Sequence, residues 1–217
     1  MNDSTKRSHR SGRRRLAVSA GVLLLAGTLV SSAAFVDQAT LNLGGGGIGF
    51  PYTFDIGAVL PDGTVEQADT DAGYDWVVDG AQTLVPGGSV STTVPVFNNT
   101  PTLAADTTVE VVLRNGDGTV AAGIPNITPF LRFSATDQAG TALFTDVTWD
   151  AARATLGVLA PRGAAELSVG DAYTAGQVGS EGAVTLTIDY LDVPGVEAFN
   201  GGQAALALRF DATSVAP

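Results

Sequence analysis

Between residues 52 and 211 the chain repeats one device, a short run with apolar residues at alternate positions that ends in a turn signal. Tyr52 to Ile56 alternates, and Pro61-Asp62-Gly63 turns the chain. Val90, Thr92, Val94 and Val96 share a face after Pro86-Gly87-Gly88, and Val109, Val111 and Leu113 share one before Asn115-Gly116-Asp117-Gly118. Leu131 with Phe133 continues the pattern, as does Leu143 with Val147 and Trp149, the two separated by a turn at Asp137 to Gly140. Val184, Leu186, Ile188 and Tyr190 form one face, and Leu206, Leu208 and Phe210 another, with Arg209 and Asp211 opposite. A period of two places such side chains on one face of a strand, which must then be buried against a second layer. The opposite faces are rich in Thr and Ser, as strands with one wet side require. The pattern therefore predicts an all-β chain, a two-sheet antiparallel sandwich of jelly-roll type, with an immunoglobulin-like topology as the alternative. Asn115 to Gly118 reads as a hairpin turn, and only Asp150 to Leu159 is even weakly helical.

The N-terminal end is organised differently. Lys6, Arg7, Arg10 and Arg13 to Arg15 form a basic region ahead of an apolar stretch from Leu16 to Val30, shorter than the roughly 20 residues of a membrane-spanning helix. Ser32, Ala33 and Ala34 supply the small residues that a signal peptidase needs. Residues 1–34 thus read as a cleaved signal peptide rather than a retained anchor, with the cut between Ala34 and Phe35, and the chain is expected to be secreted, extracellular or at the cell surface. Membrane contact would run only through the uncleaved signal.

Cleavage there would expose a new end. Phe35, Ala39, Leu41 and Leu43 share one strand face, with Asp37 the exception, and Gly44 to Gly47 follow. Four glycines cost much backbone entropy to order and offer no side chain to pack, so 35–47 reads as an arm strand on a glycine hinge. The alternative is an ordinary first strand with a glycine bulge. Residues 48–217 form a single β-sandwich domain.

Composition narrows the chemistry. Six of the eleven cations lie in the leader, so processing leaves five arginines, no lysine and 21 acids, a formal charge of −16 over 183 residues. Nucleic acid and anionic lipid both require a basic footprint and are excluded as partners. The one histidine, His9, leaves with the leader and there is no cysteine. No Ser-His-Asp or Cys-His nucleophile, His-ligated zinc or disulfide can be built, so the expectation is not an enzyme, and stability rests on an ordinary core. Acidic pairs such as Asp69/Asp71 and Asp189/Asp192 could in principle do acid/base work, but in so acidic a chain most carboxylates face solvent. No organic cofactor is expected. Asp69, Asp71, Asp75 and Asp79 are a candidate calcium cluster because a hard cation takes carboxylate oxygens. They lack the EF-hand pattern, with Gly73 and Gly80 at its fifth and twelfth positions.

Ala33-Ala34-Phe35-Val36-Asp37 after a hydrophobic leader, followed by Thr40-Leu41-Asn42-Leu43, resembles the leader junction of the TasA/camelysin family, whose signal peptides are of the SipW-dependent type. Leu84-Val85-Pro86-Gly87-Gly88 leading into Val94-Pro95-Val96-Phe97-Asn98-Asn99-Thr100 is similar to that family's turn, strand and Asn-rich turn, and Leu208 to Thr213 to its last strand. Gly88 departs from the pattern, where an Asp is usual. The resemblance implies a secreted jelly-roll subunit of a matrix or biofilm fibre, in which one subunit's N-terminal arm completes the sheet of the next. It implies a homo-oligomeric or fibrous state and contact with other matrix or cell-wall components. The protease activity attributed to camelysins does not transfer, since HExxH and a mature histidine are both missing. A different class of reading is a monomeric module that presents Tyr74, Trp76 and the neighbouring loops to a glycan or protein.

Overall fold

The computed structural model describes residues 54–70 and 72–215. The chain divides into two units, Met1–Ala34 and Phe35–Pro217, and everything described belongs to the second. The described residues form nine strands: β1 (Ile56–Val59), β2 (Val65–Glu66), β3 (Ser89–Asn98), β4 (Ala104–Leu113), β5 (Leu131–Asp137), β6 (Ala142–Val147), β7 (Arg153–Leu159), β8 (Glu181–Tyr190) and β9 (Leu206–Val215). They pair, all antiparallel, into a sheet of order β2-β1-β3-β8-β5-β6 and a smaller one of order β7-β4-β9. The protein is an all-β sandwich, as its alternation predicts. From β3 onward the chain changes sheet at every step except the β5–β6 hairpin, a winding of the jelly-roll kind.

Alternation and burial agree strand by strand. In β8 Val184, Leu186 and Tyr190 are buried, while β4 buries Ala105, Val109 and Val111 and β5 buries Leu131, Phe133 and Ala135. Apart from Ala105, these side chains form one continuous core with Phe144, Ala152 and Val196. Each fully buried Val, Leu or Phe contributes about 1.5–3 kcal/mol, so this layer dominates the stability. A second cluster joins Phe54, Val94 and Val96 to Ala105, Leu159 and Ala212.

Three expectations are corrected. Asn115-Gly116-Asp117-Gly118 does not close a hairpin. Arg114–Gly116 is a 3-10 turn with Asn115 left-handed at φ 56°, and the next strand, β5, belongs to the other sheet. Both edges of β4 are already taken, by β7 and β9 from later in the chain, so its C-terminal end has to lead across the sandwich. Asp150 to Leu159 is not helical either. One 3-10 turn, Trp149–Ala151, leads into β7, where pairing with β4 and burial of Leu159 outweigh a weak local preference. Within β6 it is Phe144, rather than Leu143, that is buried, and the register with β5 shifts around Asp146, which sits at φ 51°.

Candidate functional site: an open groove along the last strand

The sandwich has four sheet edges, and three of them are blunted. Outside β2 runs the loop around 170, which takes its hydrogen bonds: Val65 N–H donates to Asp171 O (2.9 Å) and Gly170 N–H to Val65 O (2.9 Å). β6 is bulged at its register shifts. β7 is bulged opposite Thr107 and Thr108, with Gly157 at φ 107°. Bulges and covers of this kind stop unpaired backbone groups from recruiting another chain. Among the described residues β9 has no such device: its ten residues pair with β4 in unbroken register from Leu206↔Leu113 to Val215↔Ala104. Among the described residues no strand pairs with its outer side.

Beside β9 the two sheets part to leave a groove of about 1020 Å³. One wall comes from the large sheet, through Ile56, Ala58, Thr92, Val94, Val96 and Ile188. The other comes from Leu206, Leu208, Phe210 and Ala212 on β9. Leu206, Leu208 and Phe210 are only half-buried, although each packs against the core. The site is therefore a trough of mixed lining, apolar along Leu206, Leu208 and Phe210, beside a strand edge that no other described strand pairs with, a chemistry suited to an extended strand with alternate apolar side chains.

The sequence-derived site residues fall unevenly on this geometry. Phe35, Ala39, Leu41, Leu43 and the cleavage pair Ala34 and Phe35 lie outside the described residues, as does Asp71. Among the described residues no group of three or more carboxylates gathers as a metal would need. Asp75 instead pairs with Arg114 at 3.3 Å, both side chains exposed, and Asp79 is exposed. Asp69 lines the groove. Trp76 turns its indole inward, donating from Nε1 to Thr92 Oγ1 (2.9 Å) and packing against the second core cluster, while Tyr74 stays 46% exposed. Trp76 and Tyr74 therefore do not make one exposed aromatic face.

A buried polar knot, invisible to periodicity, fixes the end of β3. Asn98, Asn99 and Thr100 are all essentially inaccessible. Asn98 Nδ2 donates to Leu103 O (2.7 Å) and Ala160 O (3.0 Å), and its Oδ1 accepts from Thr100 N–H (2.9 Å). Asn99 Nδ2 and Gln67 Nε2 both donate to the buried Asp55 carboxylate, at 2.9 and 2.6 Å. The knot holds the start of β1 against the end of β3, and so sets the far wall of the groove. The only advance signal was the Asn-Asn-Thr turn itself.

No protein-family model matches this chain, and no curated protein matches it significantly.

Proposed function

We propose that the protein is a secreted structural subunit of an extracellular matrix or cell-surface fibre, which assembles when the arm 35–43 of one copy docks along β9 of the next. The observation that carries this reading is that, among the described residues, β9 is a regular edge strand with no strand on its outer side, beside a groove floored by Leu206, Leu208 and Phe210, while β2, β6 and β7 are covered or bulged. The nine-residue arm, with Phe35, Ala39, Leu41 and Leu43 on one face, matches the ten residues of β9 in length and the groove in chemistry. A head-to-tail contact of this kind does not close on itself, so it propagates as a filament. The TasA/camelysin resemblance supports the same reading.

The energetics suit an all-or-none dock. Burying Phe35, Leu41 and Leu43 contributes about 2 kcal/mol each, and each added backbone hydrogen bond about 1 kcal/mol net. Ordering the arm costs about 1–2 kcal/mol per residue, so a partly inserted arm gains nothing. Retention at the surface would follow from assembly. The test is electron microscopy and sedimentation of chains that begin at Phe35 and at Ile48. Filaments from the Phe35 chain alone are expected; folded monomers from both would move the reading to a monomeric glycan- or protein-binding module, with exposed Tyr74 at the groove rim as its contact.

A further inference from the structure

The chain reads Asn-Gly at two places, Asn115-Gly116 and Asn200-Gly201, and the fold treats them differently. The dipeptide is reactive because glycine, with no side chain, lets its amide nitrogen come close to the side-chain carbonyl of the preceding asparagine. Asn115 is held away from that approach. It sits inside the 3-10 turn Arg114–Gly116, and its Nδ2 donates to Thr119 O (2.8 Å). The surrounding loop is braced as well: Gly118 N–H donates to Arg114 O, Thr119 N–H to Asp117 Oδ1 and Asn126 Nδ2 to Asp117 O, each at 2.8 Å.

Asn200 is the opposite case. Residues 199–202 form a type II β-turn, closed by Gly202 N–H donating to Phe199 O (2.8 Å), with Asn200 at φ −56°, ψ 131° and Gly201 left-handed at φ 75°. The closing bond of such a turn leaves its central peptide unpaired. Among the described residues nothing bonds the Gly201 N–H or the Asn200 side chain, and both residues are exposed. The ends of the turn, by contrast, are fixed. Phe199 meets Phe130 edge-on with ring centres 4.8 Å apart. Gly202 is seated so closely that a Cβ there would lie 2.6 Å from Ile127 Cγ2 and 2.7 Å from Phe199 O and Pro125 O. Gln203 N–H then donates to Pro125 O (2.9 Å), just ahead of β9.

We infer that Asn200 is a self-modification site: it deamidates through a cyclic imide, while Asn115 in the same dipeptide is spared by its loop. The Gly201 nitrogen attacks Asn200 Cγ; a C–N bond forms there, the Cγ–Nδ2 bond breaks, and the Gly201 proton leaves with Nδ2 as ammonia. Water then opens the ring. Cleaving the new N–Cγ bond gives aspartate, and cleaving the original backbone bond gives isoaspartate, whose main chain runs through Cβ and Cγ and is one carbon longer. Both products add a negative charge. Because Phe199 and Gly202 cannot shift, the turn accommodates aspartate but is strained by isoaspartate. This inference is independent of the fibre reading and needs no enzyme.

The test is peptide mapping by mass spectrometry of the chain held in mildly alkaline buffer, once folded and once unfolded in urea. In the folded chain Asn200 is expected to convert about tenfold or more faster than Asn115, since a misplaced attacking group loses at least that much. In urea only the shared dipeptide remains, and the two rates should come together. Comparable rates in the folded chain, or Asn115 ahead, would overturn the inference. So would a preference for Asn200 that persists undiminished in urea, since the fold would then not be its cause. The isoaspartate form, separated by chromatography, is expected to unfold at lower urea than an Asn200→Asp chain; equal midpoints would overturn the strained turn.

Discussion

Asn98 shows how one side chain fixes a strand end. Its donors and acceptor serve Leu103, Ala160 and Thr100, and Asn98 itself is fully buried. Asn98→Ala leaves those groups unpaired, and a loss of about 3 kcal/mol is expected, read as a lower urea midpoint at unchanged slope. Arg162 works in a similar way in the loop between β7 and β8. It is 2% exposed, donates to Ala165 O (2.8 Å) and Thr174 O (2.7 Å), and lies over the rings of Phe97 (5.7 Å) and Tyr173 (6.0 Å). The Tyr173 hydroxyl beside it has no hydrogen-bond partner among the described residues. Burial first, and the Glu181 carboxylate second, push its ionisation above the ordinary value of 10.0. Because the folded value is the higher, this proton contributes stability that is fully present below pH 10 and lost as pH rises towards the folded value. Tyr173→Phe is therefore expected to match or exceed the parent by up to about 1 kcal/mol near neutrality and to lose less stability above about pH 10. Chemical denaturation at the two pH values checks this. Beyond the Asn-Asn-Thr turn, none of these residues stands out in the sequence, because a buried polar group is defined by partners brought from distant segments. Asn98 and Ala160 are far apart in the chain, and no window of alternation spans them.

At the scale of elements, legibility followed periodicity. β3, β4, β5, β8 and β9 could be read from alternate apolar positions, since each has one face towards the core and one towards solvent. β2 was too short to show a period. β7 was hidden because Thr155, Leu156, Gly157 and Val158 carry a bulge, which breaks the alternation. Asn115-Gly116 suggested a hairpin because turn residues report a change of direction, whereas the partner strand is set by which edges later strands occupy. The groove was half legible: the apolar face of β9 could be read in advance, but that no other described strand lies on its outer side could not. A charge pointing into an edge is a known block to strand addition. Leu208→Lys is accordingly expected to abolish filaments while the chain remains folded at a cost of about 1–3 kcal/mol, measured by sedimentation and circular dichroism. Filaments of normal yield would place the acceptor elsewhere.

For the whole molecule, fold class, acidity and the missing cysteine were all plain in the sequence, because they depend on composition and period alone. The formal charge of −16 expected after processing opposes close packing of like subunits, so a fibre of this chain needs a short-range contact that outweighs repulsion. A buried apolar strand with a full backbone ladder is such a contact, whereas surface ion pairs are not. The central claim is that this strand comes from another copy, and the cysteine-free chain gives a clean way to see it. One chain would carry Leu41→Cys, and a second would carry Leu208→Cys, Phe210→Cys or Ala212→Cys in turn. The account predicts that mixing the two under mild oxidation gives a covalent dimer for at least one groove position, with neither chain alone giving it in comparable yield. A bridge that forms only when both substitutions sit in the same chain, without dimer, would show that the arm folds onto its own domain and would contradict the account.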